Sequence, residues 1–192
     1  MTEPLPTPAP SGLRPARSTD AHAIGGVQVS SWRSTYRGMV PDSYLDGMTV
    51  EDHSGRWARL LAQGENLALT FVVEEAGRVV GFAMGGPERE GEPRFRGELY
   101  AIYLLQEAQR RGYGRALAEA VAAALVRRGL TSMLVWVLRD NLAARAFYER
   151  MGGVLLREHQ LDFGAGFSVR EVSYGWEDVR AGLARAPSAG PP

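Results

Sequence analysis

The stretch from Leu99 to Leu138 constrains this chain more than any other, because it sets an apolar strand, a glycine turn, a long helix and a second apolar strand in one line. Leu99–Leu104 is nearly all apolar. Gln109-Arg-Arg-Gly-Tyr-Gly114 then opens an alanine-rich helix over Tyr113–Arg128, with Leu117, Val121 and Leu125 on one face and Gly129 as its stop. Met133–Leu138 is apolar throughout, the pattern of a strand covered on both faces. A strand reached through a crossover helix lies parallel to the one it left, so this stretch predicts one parallel pair.

Hairpins surround it. Leu67–Glu74 and Arg78–Gly85 read as strands joined at Glu75-Ala-Gly77, Phe95–Leu104 follows as the third strand of that block, and Val154–Phe163 with Phe167–Trp176 closes the chain around Gly164-Ala-Gly166. Leu13–Arg17 reads as a short leading strand. A helix capped by Ser18 or Asp20 runs to about Thr35 despite Gly25 and Gly26, and ends before Gly38 and Pro41. Further helices fit Val50–Ala62, with Thr49 as cap and Trp57, Leu60 and Leu61 as the apolar side, and Asn141–Met151. The order predicts a mixed α/β fold, a mostly antiparallel sheet of about seven strands flanked by helices, rather than a doubly wound one. Residues 12–184 are expected to form one domain, between disordered tails at 1–11 and 185–192 built of Pro, Ala, Ser and Gly.

Composition excludes several functions. Lys plus Arg and Asp plus Glu number 22 each, so no general pull toward nucleic acid or anionic membrane is expected. Cysteine is absent, which removes disulfides, thiolate ligands and a cysteine nucleophile, and suits a reducing cytoplasm. No apolar run approaches the roughly 20 residues of a membrane span, and Met1–Ser11 lacks the apolar core of a signal peptide. His22, His53 and His159 are too scattered to suggest a metal motif, and neither a Gly-x-Ser-x-Gly elbow nor a Gly-Lys-Ser/Thr ending occurs.

What remains is the turn before the long helix. The first turn of a helix leaves N–H groups without partners at the positive end of the peptide dipoles, and glycines at 112 and 114 let an anion approach the main chain. Arg110, Arg111 and Arg115 add charge. A cofactor carrying phosphates is one reading; a solvated basic strand-to-helix turn is the other. A dinucleotide fingerprint would need a third glycine where Leu117 stands.

Three segments in register carry a family resemblance. Glu98-Leu-Tyr-Ala-Ile-Tyr-Leu-Leu105, Gln109-Arg-Arg-Gly-Tyr-Gly-Arg-Ala-Leu117 and Asn141-Leu-Ala-Ala-Arg-Ala-Phe-Tyr148-Glu-Arg-Met-Gly152 resemble the GNAT N-acetyltransferases. The glycine motif fits at Gln109, Gly112 and Gly114, and the second motif, about thirty residues on, fits at Asn141, Ala144, Phe147, Tyr148 and Gly152. Trp32-Arg-Ser-Thr-Tyr36-Arg-Gly38, with Pro41 and Leu45, is similar to the family's first helices. Gln106 stands where many relatives carry Pro.

The resemblance implies a GNAT fold with its parallel pair splayed, acetyl-CoA as co-substrate and no metal. It implies a diphosphate on the turn Gln109, Arg110, Arg111, Gly112, Tyr113, Gly114 and Arg115, and a pantetheine arm paired with main chain at Ile102, Tyr103 and Leu104 and touched by Asn141. Asn141 caps its helix in either reading. Tyr148 is implied as proton donor to the leaving thiolate, with an ordinary aromatic of an amphipathic helix as the alternative. Glu98 is implied as a base acting through water, against a plain glutamate at a strand end; Trp32 and Tyr36 as walls of the acceptor pocket, against core. The acceptor is a primary amine of a small molecule, a protein N-terminus or a lysine, and the closing hairpin offers an edge for a homodimer. A silent CoA-binding sensor and a dinucleotide-binding oxidoreductase are the rivals. Thermal unfolding with acetyl-CoA, CoA and NAD in parallel separates them, since a ligand of the folded state raises the midpoint by mass action. Stabilisation by the CoA compounds alone is expected; stabilisation by NAD alone, or by nothing, overturns the acetyltransferase reading.

Overall fold

The structure is a computed structural model describing residues 12–67 and 69–184; the two tails read from composition lie outside it. Seven strands form one sheet: β1 (Leu13–Pro15), β2 (Thr70–Glu75), β3 (Arg78–Pro87), β4 (Gly97–Leu104), β5 (Met133–Leu138), β6 (Val154–Asp162) and β7 (Ser168–Trp176), in the order β1-β2-β3-β4-β5-β7-β6. All neighbours are antiparallel except β4 and β5. That pair holds over only Gly97↔Met133, Glu98↔Leu134 and Leu99↔Val135 before the strands part. The bend has a local cause. Gly85 pairs with Leu99 and Met84 with Ala101, so Tyr100 is an extra residue, a bulge that turns β4 away from its neighbour. A second bulge interrupts β6 against β7 between Leu155 and Glu158.

Helices cover both faces. The crossover helix α5 (Tyr113–Arg127) buries Leu117, Val121 and Leu125 against Val80, Leu99, Met133 and Val135. On the opposite face α1 (Ala21–Thr35) and α3 (Val50–Ala62) close over Val72 and Phe82 with Ile24, Val27, Trp57 and Leu61. The Phe82 ring, fully buried, sits edge-on to Trp57 at 4.9 Å between centroids, and such a side chain stabilises by about 1.5–3 kcal/mol. Thr49 caps α3 by accepting from the Asp52 N–H at 3.1 Å. A third apolar cluster, Val29, Val40, Leu45, Met48, Leu138 and Val169, fills the end where the sheet splays. The last long helix, α6 (Leu142–Arg150), follows β5 directly.

Three short helices went unpredicted: α2 (Asp42–Gly47), α4 (Gly64–Leu67) and α7 (Val179–Ala184). At four to six residues each, none repeats an apolar position often enough to declare a period. Because α4 takes Leu67, β2 starts at Thr70. Phe95 sits in a turn, its N–H donating to the Glu92 carbonyl at 3.2 Å, so β4 starts at Gly97. Among the described residues no helix is long and apolar enough to cross a membrane.

The two glycines of α1 differ. A Cβ on Gly25 would meet Ser54 of α3 at 2.6 Å from its Oγ and 2.7 Å from its N, whereas one on Gly26 meets nothing within 4 Å. Gly25→Ala is therefore expected to lower unfolding free energy in urea by about 2 kcal/mol and Gly26→Ala to raise it by about 0.7 kcal/mol. Equal effects would contradict the close helix crossing.

Candidate active site

The turn before α5 is curled by two left-handed residues, Arg110 (φ 58°) and Gly112 (φ 83°), and at Gly112 the space a Cβ would take is open. The Gln109 N–H donates to the Gln106 carbonyl and the Ala116 N–H to the Gly112 carbonyl; between them, the amides of Arg110 to Gly114 meet no acceptor among the described residues. Successive unpartnered amides at a helix N-terminus form an anion-binding concavity. At Gly114 a Cβ would make only ordinary van der Waals contact with Leu104 and Phe147, at 3.5 Å, so the packing of the helix on β4 and α6 does not itself demand glycine there.

The side chains of this turn correct the expected basic cradle. Arg111 turns back to Glu75 of β2 (Nη1 to Oε2, 2.9 Å), and the Tyr113 hydroxyl donates to the same carboxylate at 2.6 Å. The Tyr113 and Arg111 hydrogen bonds hold the Glu75 carboxyl below its ordinary range. Arg115 pairs with Glu119 at 2.7 Å and donates to the Leu183 carbonyl of α7 at 2.8 Å. Tyr113 and both arginines thus brace the turn from behind, because carboxylates and carbonyls lie closer to them than the concavity does. Arg110 forms no ion pair among the described residues.

Beyond the bulge, β4 borders the gap left by β5. The Leu105 N–H donates back to Val80 of β3 at 2.9 Å, so by strand alternation Leu104 and Ile102 direct their N–H groups into the gap. The Leu104 carbonyl accepts from Ser31 Oγ at 3.0 Å and Gln109 Nε2 at 3.3 Å. Ile102 and Leu104 pack their side chains toward α5. Tyr103 points the opposite way, with ring centroids 6.4 Å from Trp32 and 5.7 Å from Phe82, so its side chain joins the wall of α1 rather than the gap.

That wall is aromatic. Trp32 meets Tyr36 at 4.9 Å and Phe163 at 6.1 Å, and Tyr44 of α2 meets Phe163 at 5.7 Å. The Trp32 Nε1 is buried without an acceptor. Burial pushes the Tyr36 phenol well above its ordinary pKa, with Tyr103, Tyr148 and the Glu171 charge adding to it. Tyr148 of α6 is 5% exposed, its ring 6.1 Å from Tyr174, and its hydroxyl makes no hydrogen bond among the described residues. Burial, reinforced by Tyr103, raises its pKa far above the ordinary value, so it stays protonated at neutral pH. Asn141 caps α6, its side chain accepting from the Ala144 N–H at 3.1 Å.

Glu98 is no exposed strand end. It is 1% exposed, and both carboxylate oxygens accept from Arg89 of the β3–β4 loop, whose guanidinium lies 4.0 Å from the Tyr100 ring centroid. Sequence reasoning did not find Arg89, Tyr44, Phe163 or the acidic Glu171 on this face. Their partners are remote in sequence, and the available signal was only that Glu171 shares strand parity with the buried Val169 and Ser173.

The profile of the acetyltransferase (GNAT) family matches residues 29–153, the span from the aromatic wall of α1 to the end of α6. This chain belongs to the GNAT family. An uncharacterized N-acetyltransferase of Bacillus subtilis, YuaI, is 38% identical over 170 residues, covering 88% of this acetyltransferase and 94% of that one. A mycothiol acetyltransferase of Salinispora arenicola is 31% identical over 163 residues, 79% of this chain and 50% of that relative, so the chain spans about half its length. The PaiA N-acetyltransferase of Thermoplasma acidophilum, solved in complex with coenzyme A, shares the fold with a TM-score of 0.64 over 85% of this chain and 98% of that chain, at 18% identity. The protein is accordingly an acyltransferase of the GNAT fold.

Removing Arg89 leaves the buried Glu98 carboxylate without a cation. Arg89→Ala is expected to cost about 3 kcal/mol of stability in urea unfolding, and adding Glu98→Gln to recover about 1 kcal/mol of it. An Arg89→Ala chain as stable as the wild type would show that the pair contributes nothing.

Proposed function

We propose that this acetyltransferase moves the acetyl group of acetyl-CoA to a primary amine, of a small molecule or of a protein N-terminus or lysine, by direct attack in a ternary complex. The observation carrying the proposal is a set of donors that meet no acceptor among the described residues: the amides of Arg110 to Gly114, the N–H groups of Ile102 and Leu104 in the gap, and the Tyr148 hydroxyl. A diphosphate, an amide-rich arm and a thioester sulfur need donors in that order. Acetyl-CoA, when bound, supplies an acyl group activated as a thioester.

The chain's own groups do the rest. The turn amides, with Arg110, hold the diphosphate against the dipole of α5. Ile102 and Leu104 pair with the arm as a strand would, and the Leu104 N–H polarises the acyl carbonyl. Gln109 and Ser31 hold the next peptide, through the Leu104 carbonyl, and so steady the end of β4. Tyr148, kept protonated by burial, gives a proton or hydrogen bond to the departing sulfur, and Asn141 fixes the helix that carries it. Glu98 reaches an amine only through water and only by sharing oxygens already given to Arg89. Trp32 and Tyr36 wall the acceptor side.

Tyr148→Phe keeps the ring and removes the donor. It is expected to lower kcat about 100-fold on whichever primary amine of a screen the wild type acetylates, while the thermal stabilisation by acetyl-CoA stays unchanged. Unaltered turnover would remove Tyr148 from the chemistry; a wild type that binds acetyl-CoA and acetylates no amine would leave the sensor reading.

A further inference from the structure

Glu171 is a carboxylate on the acceptor face that the chemistry above leaves idle. In the ladder it stands between Leu138 of β5 and His159 of β6. Residues paired across strands share a face, so Leu138, Glu171 and His159 form a row, with Trp136 and Ser173 two residues along. The row begins three residues past Val135, the last β5 residue paired with β4, and so borders the gap. Leu138 and Val169, which flank Glu171, pack in the cluster that includes Trp32 and Tyr36.

Its two oxygens are unequal. Oε2 meets Nε2 of His159 at 3.3 Å; Oε1 meets no donor among the described residues, and the side chain is 16% exposed. His159 in turn is held in place. Its ring stacks on Trp136 at 3.9 Å and 7°, and its Nδ1 lies 3.7 Å from Oε2 of Glu90, a side chain 39% exposed. Arg157 lies 4.8 Å from the Trp136 ring and pairs with Glu90 at 3.2 Å, which fixes the far end. One imidazole therefore lies between a sheltered carboxylate that it hydrogen-bonds and an exposed one 3.7 Å away.

We propose that Glu171 takes the proton of the acceptor ammonium and that His159 relays it to Glu90 and solvent; this rests on the acetyl-CoA reading above. Glu171, unlike Glu98, has an oxygen to offer without breaking an ion pair. Burial raises its proton affinity above that of an ordinary glutamate, opposed by His159 and aided by Glu90 of the loop and Glu98 of β4, while Tyr36 of α1 and Tyr103 of β4 face it uncharged. The step balances. The acceptor enters as an ammonium and gives one proton to Glu171, which leaves through His159 and Glu90. As the C–N bond forms and the C–S bond breaks, nitrogen gives up a second proton, Tyr148 delivers one to sulfur and regains it from nitrogen. The products are an amide, a thiol and one proton in solvent.

Two amine probes separate this role from a structural one. At neutral pH phenethylamine, whose ring suits the aromatic wall, is almost wholly ammonium, whereas trifluoroethylamine is almost wholly free base. Relative to the wild type, Glu171→Gln is expected to lose about 100-fold in kcat/KM with phenethylamine, with recovery as pH approaches the amine's own pKa, and less than about threefold with trifluoroethylamine. His159→Gln, which can still hydrogen-bond Glu171 but carries no proton, should show the same pH recovery. Equal losses on both amines, or none, overturn the proposal. A second readout needs no turnover: in the glutamate-13C-labelled full chain, the carboxyl resonance missing from Glu171→Gln should titrate above ordinary glutamates and shift when phenethylamine and CoA are added. A resonance titrating in the ordinary range and indifferent to the amine overturns it. Failure of acetyl-CoA to stabilise the wild type strikes the acetyl-CoA reading instead.

Discussion

The parting of β4 from β5 after three paired residues is the constraint on which the site depends. Two parallel strands that separate expose main-chain donors and acceptors which the sheet would otherwise satisfy, and a buried group left so costs about 1–3 kcal/mol. The molecule tolerates this by dealing with the carbonyl and the N–H groups differently. The carbonyl of Leu104 is taken by Ser31 and Gln109, while the N–H groups of Ile102 and Leu104 stay directed at the gap. The bulge at Tyr100 is what makes the arrangement permanent, since it fixes the bend in β4.

Charge is divided between the two sides of that gap. On the side of α5 the positive character comes from peptide amides, and the nearby Arg111 and Arg115 are neutralised by Glu75 and Glu119. A site built from main chain has little freedom to move and loses no side-chain entropy when an anion arrives. On the other side, carboxylates at 90, 98 and 171 sit among aromatic rings, each with a different partner: Arg157, Arg89 and His159. The same residue type thereby acquires three different sets of neighbours.

The fold was legible because it is written in periods. The succession of elements, the crossover helix and the single parallel pair all follow from where apolar residues alternate and where they recur on a helix face, and Thr49 and Asn141 cap the helices their side chains announce. The site was legible only in outline. Positions on the main chain, such as the turn at 109–114, can be placed once the elements are known. Side-chain directions cannot, because Arg111 is claimed by Glu75, 36 residues away, and Tyr103 by α1, and such choices are made by tertiary neighbours. The burial of Glu98 has the same origin: a glutamate in a strand gives no sign that an arginine nine residues upstream will close over it.

The bulge between Leu155 and Glu158 has a consequence for the outer rim of the sheet. β6 is an edge strand carrying the exposed Val154 and Leu155, the kind of surface on which foreign strands can be templated. The kink cuts that rim into two short pieces, Val154–Leu155 and Glu158–Asp162, which twist apart and break the continuous row of hydrogen-bonding groups. Arg157 and Glu158 stand at the junction as charged gatekeepers, and together with the irregularity they guard the chain against amyloid-like stacking of its own edge.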